Sequence, residues 1–497
     1  MKIKKILTIF LASLISLTAL FGVVGCNKET DDPTVKTVSG GKIKGYEAET
    51  EDVVVYKGIP YAAAPVGELR WKAPQDVVAW DGVKDCTKWG ASAMQAKQKA
   101  DATFTEEFII EDTETYSEDC LTLNLWTKND ETENKPVVVY IHGGAFVAGG
   151  SSCEVYNGEY LASQDVVFVS VNYRLGIFGW FASSALAAED PEGSTGNYAL
   201  MDLIKALDWV QDNIAQFGGD KNNVTIMGQS AGGSLVDALL VSPKAEGLFH
   251  RAVNMSYKDM AVQYGRGIAR QSAGNQLGTL EELRSKSAEE LMALSWSNVG
   301  VCNDGVYITQ DFQQGLQNGA SKDVDIMTGM VADGDIIYLG FALMLGVPEG
   351  TTVGECLMGI QNTVVKARQM GVEEGETLGN TFVYLFNHVM PGKRNNGVFH
   401  SSDVPYFLNY FSDKRAEYWT DTDKAVGLTA AAYLINFCKT GAPNGENLPM
   451  WNASTGNYTY MEISGSSAEK QLSESCIGII KTTFTKPLYG GFDANLF

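Results

Sequence analysis

Apolar and polar positions along this chain fall into short β-branched runs bounded by turn residues, with amphipathic stretches between them. Residues 137–141, 166–171 and 224–227, together with Thr381–Phe386 and Asp325–Val331, are the clearest such runs. Runs this uniformly apolar suit strands buried on both faces. Between the second and third, Leu200, Leu203, Ile204, Leu207, Val210 and Ile214 lie on one stripe at helical spacing, predicting a helix over 200–217. Trp209 falls off that stripe and is expected to meet a different neighbour. Strand, helix, strand is the β-α-β unit of a mostly parallel sheet flanked by helices, an α/β fold. No repeat, low-complexity tract or linker interrupts residues 42–497, which read as one domain.

The N-terminus is organised differently. Met1-Lys2-Ile3-Lys4-Lys5 is a basic start, an apolar run continues to Val24, and Val23-Val24-Gly25-Cys26 resembles the lipobox of bacterial lipoproteins. This predicts a signal peptide over 1–25, a lipid on Cys26, a flexible polar tether over 26–41, and an exported protein anchored on the extracytoplasmic face. A retained anchor helix and a plain signal peptide are the competing readings. The formal charge is −22, with no basic stripe, which argues against nucleic acid as a partner. The eight cysteines contain no Cys-x-x-Cys pair and do not cluster with histidine, so a structural zinc site is not expected.

Gly228-Gln229-Ser230-Ala231-Gly232 directly follows the 224–227 run, and a helix-like stretch follows from Gly233 to about Val241. Gly-x-Ser-x-Gly on strand, turn and helix is the nucleophile elbow, which makes Ser230 the candidate nucleophile. His142-Gly143-Gly144-Ala145-Phe146 follows the 137–141 run and is similar to the oxyanion loop of lipases and esterases. Backbone N–H groups of Gly143, Gly144 and Ala231 would face the developing oxyanion. A serine needs a base. Of the four histidines, His142 belongs to the loop, His250 and His388 read as structural, and His400 lies in a polar loop after the serine. The acid is expected between them, in the turn holding Asp333, Gly334 and Asp335; Asp333 is favoured and Asp335 is the alternative.

These residues, with Gly58-Ile59-Pro60-Tyr61-Ala62, Arg70-Trp71, Ser117-Glu118-Asp119-Cys120-Leu121, Asn172-Tyr173-Arg174-Leu175-Gly176 and Phe217-Gly218-Gly219-Asp220, resemble type-B carboxylesterases, the family that includes cholinesterases. The resemblance runs from about Val38 to Ile463. It implies an α/β-hydrolase domain with a deep gorge, ester hydrolysis through an acyl-enzyme, and no cofactor. Three departures stand out. Gln229 occupies a position that is usually Glu, a change expected to matter little. Gly334 stands where the family's acidic Glu would fall without a gap. Ala93 replaces a cysteine whose partner matches Cys120, so that bridge must be absent or re-paired, with Cys86 the nearest candidate. Ser256 resembles a serine that supports the acid in relatives. A non-catalytic binding protein of the same fold, or a lipase or thioesterase, are the other readings.

Overall fold

The computed structural model describes residues 32–97, 115–130, 132–256, 266–333, 352–392 and 397–484. The signal peptide, Cys26, Gly334 and Asp335 lie outside the described residues. Within them, one sheet of eleven strands organises the chain. In chain order these are β1 (Tyr46–Glu47), β2 (Val53–Pro60), β3 (Thr122–Lys128), β4 (Lys135–Ile141), β5 (Val167–Val171), β6 (Gly219–Gln229), β7 (Arg251–Met255), β8 (Asp325–Val331), β9 (Thr381–Phe386), β10 (Thr459–Ile463) and β11 (Ala468–Gln471). The spatial order is β11-β10-β9-β8-β7-β6-β4-β5-β3-β2-β1. The centre, from β5 through β10, is parallel, and the two edges are antiparallel. This is the mostly parallel α/β sheet that the apolar runs predict.

Alternation along the central strands divides the core. Val137, Val139 and Ile141 of β4 pack with Leu203 and Leu207 of α1 (Tyr198–Asn213) and with Leu235 and Leu239 of α2 (Ala231–Val241). Val138 and Tyr140 face the other way, into the cluster holding Phe437 of α5 (Asp421–Thr440). Helices α3 (Val353–Met370) and α4 (Val404–Phe407) complete the elements used below. Trp209 does meet a different partner: it is buried against Phe217, with ring centroids 6.1 Å apart.

Two boundaries differ from expectation. The tether expected to reach residue 41 ends earlier, because Val35–Val38 pairs antiparallel with Gly41–Lys44, which in turn pairs with Val83–Asp85. Val38 and Ile43 are buried there, so even short polar-looking strands find an apolar seat. Helix α2 starts at Ala231 rather than Gly233. Its glycines, poor helix formers in isolation, are demanded by packing. A Cβ on Gly232 would come within 2.0 Å of the Ile141 carbonyl oxygen, and one on Gly228 within 2.4 Å of the Gly232 oxygen.

Two of the quoted motifs resolve into buried ion pairs. Arg70 clasps Glu118 and also donates to the Lys286 carbonyl at 2.9 Å. Arg174 holds Asp202 of α1 through two bonds of 2.8 and 2.7 Å. Cys86 and Cys120 are buried free thiols, so the re-paired bridge is not formed.

Candidate active site

Parallel register places three chain segments at one edge of the sheet. Met227 pairs with Tyr140 and Gly228 with Ile141, so the turn after β6 sits beside the loop after β4. Met255 pairs with Gly329, bringing the turn after β8 to the same edge. Loops beyond the carboxyl ends of such strands are where open α/β sheets bind ligands.

Ser230 ends β6 and caps α2 with φ 56° and ψ −124°. A non-glycine residue in this region carries strain of about 1–3 kcal/mol and persists only where its surroundings hold it. Here the Ser230 N–H donates to the Met255 carbonyl at 2.9 Å, and its own carbonyl accepts from the Ser234 N–H at 3.0 Å. The backbone is thus fixed from β7 on one side and from α2 on the other, and the side chain is left to the loops above.

The loop after β4 passes directly over this turn. A Cβ on Gly143 would lie 3.1 Å from the Ser230 Cβ. His142 is buried, and burial pushes its imidazole down to about 4, so the ring is neutral at pH 7. Its Nδ1 carries the proton, because its partner at 2.7 Å is the Gly143 carbonyl, which can only accept. The ring stacks on Tyr173, whose hydroxyl donates to the His142 carbonyl at 2.7 Å. Beyond it Gly144, Ala145 and Phe146 all have positive φ, at 116°, 53° and 65°. The turn closes by N–H groups of Val147 and Ala148 on the Gly144 carbonyl. Among the described residues, no backbone carbonyl takes the N–H of Gly143, Gly144, Ala145 or Ala231. Ala145 was not among the donors expected from sequence. Its left-handed backbone, unusual for alanine, leaves no compositional trace.

His400 is buried, and the fold brings it to Gln229, 171 residues earlier, with 3.1 Å between the Gln229 Nε2 and the His400 Nε2. Asp333 sits on the turn after β8. Its N–H donates to the Val398 carbonyl at 3.2 Å, and its carboxylate accepts from the Val398 N–H at 2.6 Å. Asp333 is exposed, and among the described residues it makes no hydrogen bond to the His400 ring. Ser256, with φ 53°, is fully buried at the end of β7, its N–H on the Gly329 carbonyl at 2.9 Å.

A further buried polar pair lies three residues along the chain from the base. Asp403, at the start of α4, is fully buried, and its Oδ2 accepts from the Tyr384 hydroxyl at 3.0 Å. Burial pushes this carboxyl up to about 7. Sequence reading passed over it because nothing in a loop pattern announces a buried acid. The other histidines are structural, as expected. His388 bonds Asp423 at 2.8 Å, and His250 accepts from the Val224 N–H at 3.3 Å. Among the described residues no group of His, Cys, Asp and Glu is arranged to hold a metal.

The sequence matches the Carboxylesterase family over residues 31–344 and 354–477. The chain belongs to the carboxylesterase family. It is 29% identical over 469 residues to the para-nitrobenzyl esterase of Bacillus subtilis (strain 168), covering 85% of this chain and 93% of that one. It is 34% identical over 344 residues to the fumonisin B1 esterase of Sphingopyxis macrogoltabida, a match spanning 65% of this chain and 61% of that protein. A solved structure named PNB esterase superposes with a TM-score of 0.71 at 27% identity, covering 89% of this chain and 98% of that one. Family and relatives together support carboxylic ester hydrolysis as the chain's activity.

Proposed function

We propose that this chain hydrolyses carboxylic esters through an acyl-enzyme on Ser230, with His400 as general base. The observation that carries the reading is the junction at the sheet edge. A strained serine, a run of N–H groups that no backbone carbonyl takes, and a buried histidine belong to three distant segments. Serine is a weak nucleophile until a base takes its proton, and the tetrahedral intermediate then needs donors already aimed at its oxyanion. Gly143, Gly144 and Ala231 supply them in this reading, with Ala145 as a further donor. The triad carboxylate comes from the turn after β8, from Asp333 or Asp335. No metal or cofactor enters the chemistry. The substrate is a small-molecule ester.

The test is turnover of 4-nitrophenyl acetate. Ser230→Ala and His400→Ala should each lower kcat by about 10³-fold or more, and the double variant scarcely further, because triad members act as a unit. A fluorophosphonate should label the wild type at Ser230 alone. Esterase activity that survives Ser230→Ala would refute the reading; a wild type that neither turns over the ester nor takes the fluorophosphonate would leave a binding protein of this fold in its place. We also propose export and lipid anchoring through Cys26, on the basic start, apolar run and Val-Val-Gly-Cys. The mass of the mature N-terminus is the check.

A further inference from the structure

Gln229, the elbow residue in which this chain departs from its family, bonds to the nitrogen of His400 that faces it. Its carboxamide is buried. Oε1 lies toward the loop after β4, where a Cβ on Gly143 would come within 3.0 Å of it. The N–H₂ end is the one turned to His400, and it can only donate. We propose that Gln229 is a positioning residue that holds His400 neutral and in the tautomer with its proton on Nδ1.

The physical chemistry is direct. An N–H donor on Nε2 needs a lone pair there, and only the neutral ring with the proton on Nδ1 has one. Protonation at Nε2 would lose that bond and set N–H against N–H. A hydrogen bond made only to the neutral form lowers the pKa of a base. The same tautomer is the one a serine needs, since Nε2 must accept the Ser230 proton, and the Gln229 N–H gives up that single lone pair when Ser230 takes its place. A Glu at this position would act in the opposite sense, its carboxylate favouring the imidazolium. Gln229 thus extends the base's working range toward acid. In many triads the acid alone sets the tautomer; here a neutral side chain on the elbow shares that task.

Other titratable groups belong to the elements that carry or cover the site. They are Asp333 through Val398 on the turn after β8, Asp403 at the start of α4, Tyr384 on β9, Tyr140 on β4 and His142 above Ser230. Asp403, at about 7, titrates in the same window as a histidine. The comparison is therefore made in an Asp403→Asn background.

The proposal rests on the esterase reading for its meaning but not for its measurement. The His400 ring is titrated by NMR in protein labelled at histidine and assigned with His400→Gln, for Gln229, Gln229→Met and Gln229→Glu. Met removes the donor without adding a charge, and should raise the His400 pKa by about half a unit; Glu should raise it by about one unit or more. The acid limb of kcat/KM for 4-nitrophenyl acetate should move by the same amounts. A His400 pKa that is unmoved in both variants, or lowered in Gln229→Met, overturns the proposal even if hydrolysis depends on Ser230. Shifts of the expected sign in a protein with no Ser230-dependent hydrolysis uphold it and sink the esterase reading instead.

Discussion

Strain at Ser230 and desolvation at Asp403 are both unfavourable single-residue terms, and both lie beside the proposed chemistry. Positive φ at Ser230 is imposed by β7 and α2 together, which is how a fold holds a conformation the residue itself disfavours. Asp403 is costly for a different reason: the ionised form has lost its water, and one tyrosine hydroxyl replaces little of it. The pH consequence follows from linkage. Its folded pKa, about 7, lies above the model value of 3.8. Between those values the native state binds the proton and the unfolded state does not. Stability from this group is therefore complete below about 4 and declines until pH passes 7, by an amount on the order of 4 kcal/mol. Asp403→Asn keeps an acceptor for Tyr384 and carries no charge. Its melting temperature relative to the wild type should rise steadily from pH 4 to pH 7 and then level off. A difference that is flat across that range would mean that Asp403 ionises normally in the folded protein.

At the scale of elements, the site depends on how closely α2 crosses β4 and how the loop carrying His400 is tied to β8. Glycines set the first distance, since a methyl group at Gly232 has no room against the Ile141 carbonyl. The second is set by Asp333, whose backbone and carboxylate both bond Val398, two residues before His400. That contact changes the expectation for the acid. An exposed carboxylate occupied by a backbone N–H is a tie for the loop. Asparagine can keep the bond, because its carbonyl oxygen also accepts. Asp333→Asn should therefore lower kcat/KM by no more than about tenfold. Asp335→Asn should cost about 10³-fold or more if Asp335 carries the triad role, the scale of an imidazole held in the wrong tautomer. Steady-state kinetics on both variants checks the order, with circular dichroism to confirm that each is folded. The reverse order would return the role to Asp333, and mild losses in both would place the acid elsewhere.

For the whole molecule, the strong negative charge keeps the surface soluble and does not contribute to the fold. Among the described residues no helix is long and apolar enough to cross a membrane. Attachment, in the proposed reading, comes from the first residues of the mature chain. Cys26→Ser should abolish both acylation and cleavage at this point, and mass spectrometry of the N-terminus should find an acylated Cys26 only in the wild type. Recovery of the same acylated terminus from the variant would end the proposal. The chain pattern alone determined five strands of the sheet centre (β4, β5, β6, β8 and β9), the helix between them, the elbow and the loop after β4, but not β7 or β10. Each is written in local periodicity or in a motif whose glycines answer to backbone geometry. Asp325–Val331 and Thr381–Phe386 were legible because each is a short, mostly apolar run that opens on a polar residue and is buried on both faces. Tertiary structure decided what no window of sequence contains: that Gln229 meets His400 across 171 residues, that Asp333 spends its carboxylate on Val398, and that Asp403 is dry. These are contacts between side chains whose local surroundings look like ordinary loop. Their energetics come from burial and from partners that only the closed sheet and its covering loops bring within reach.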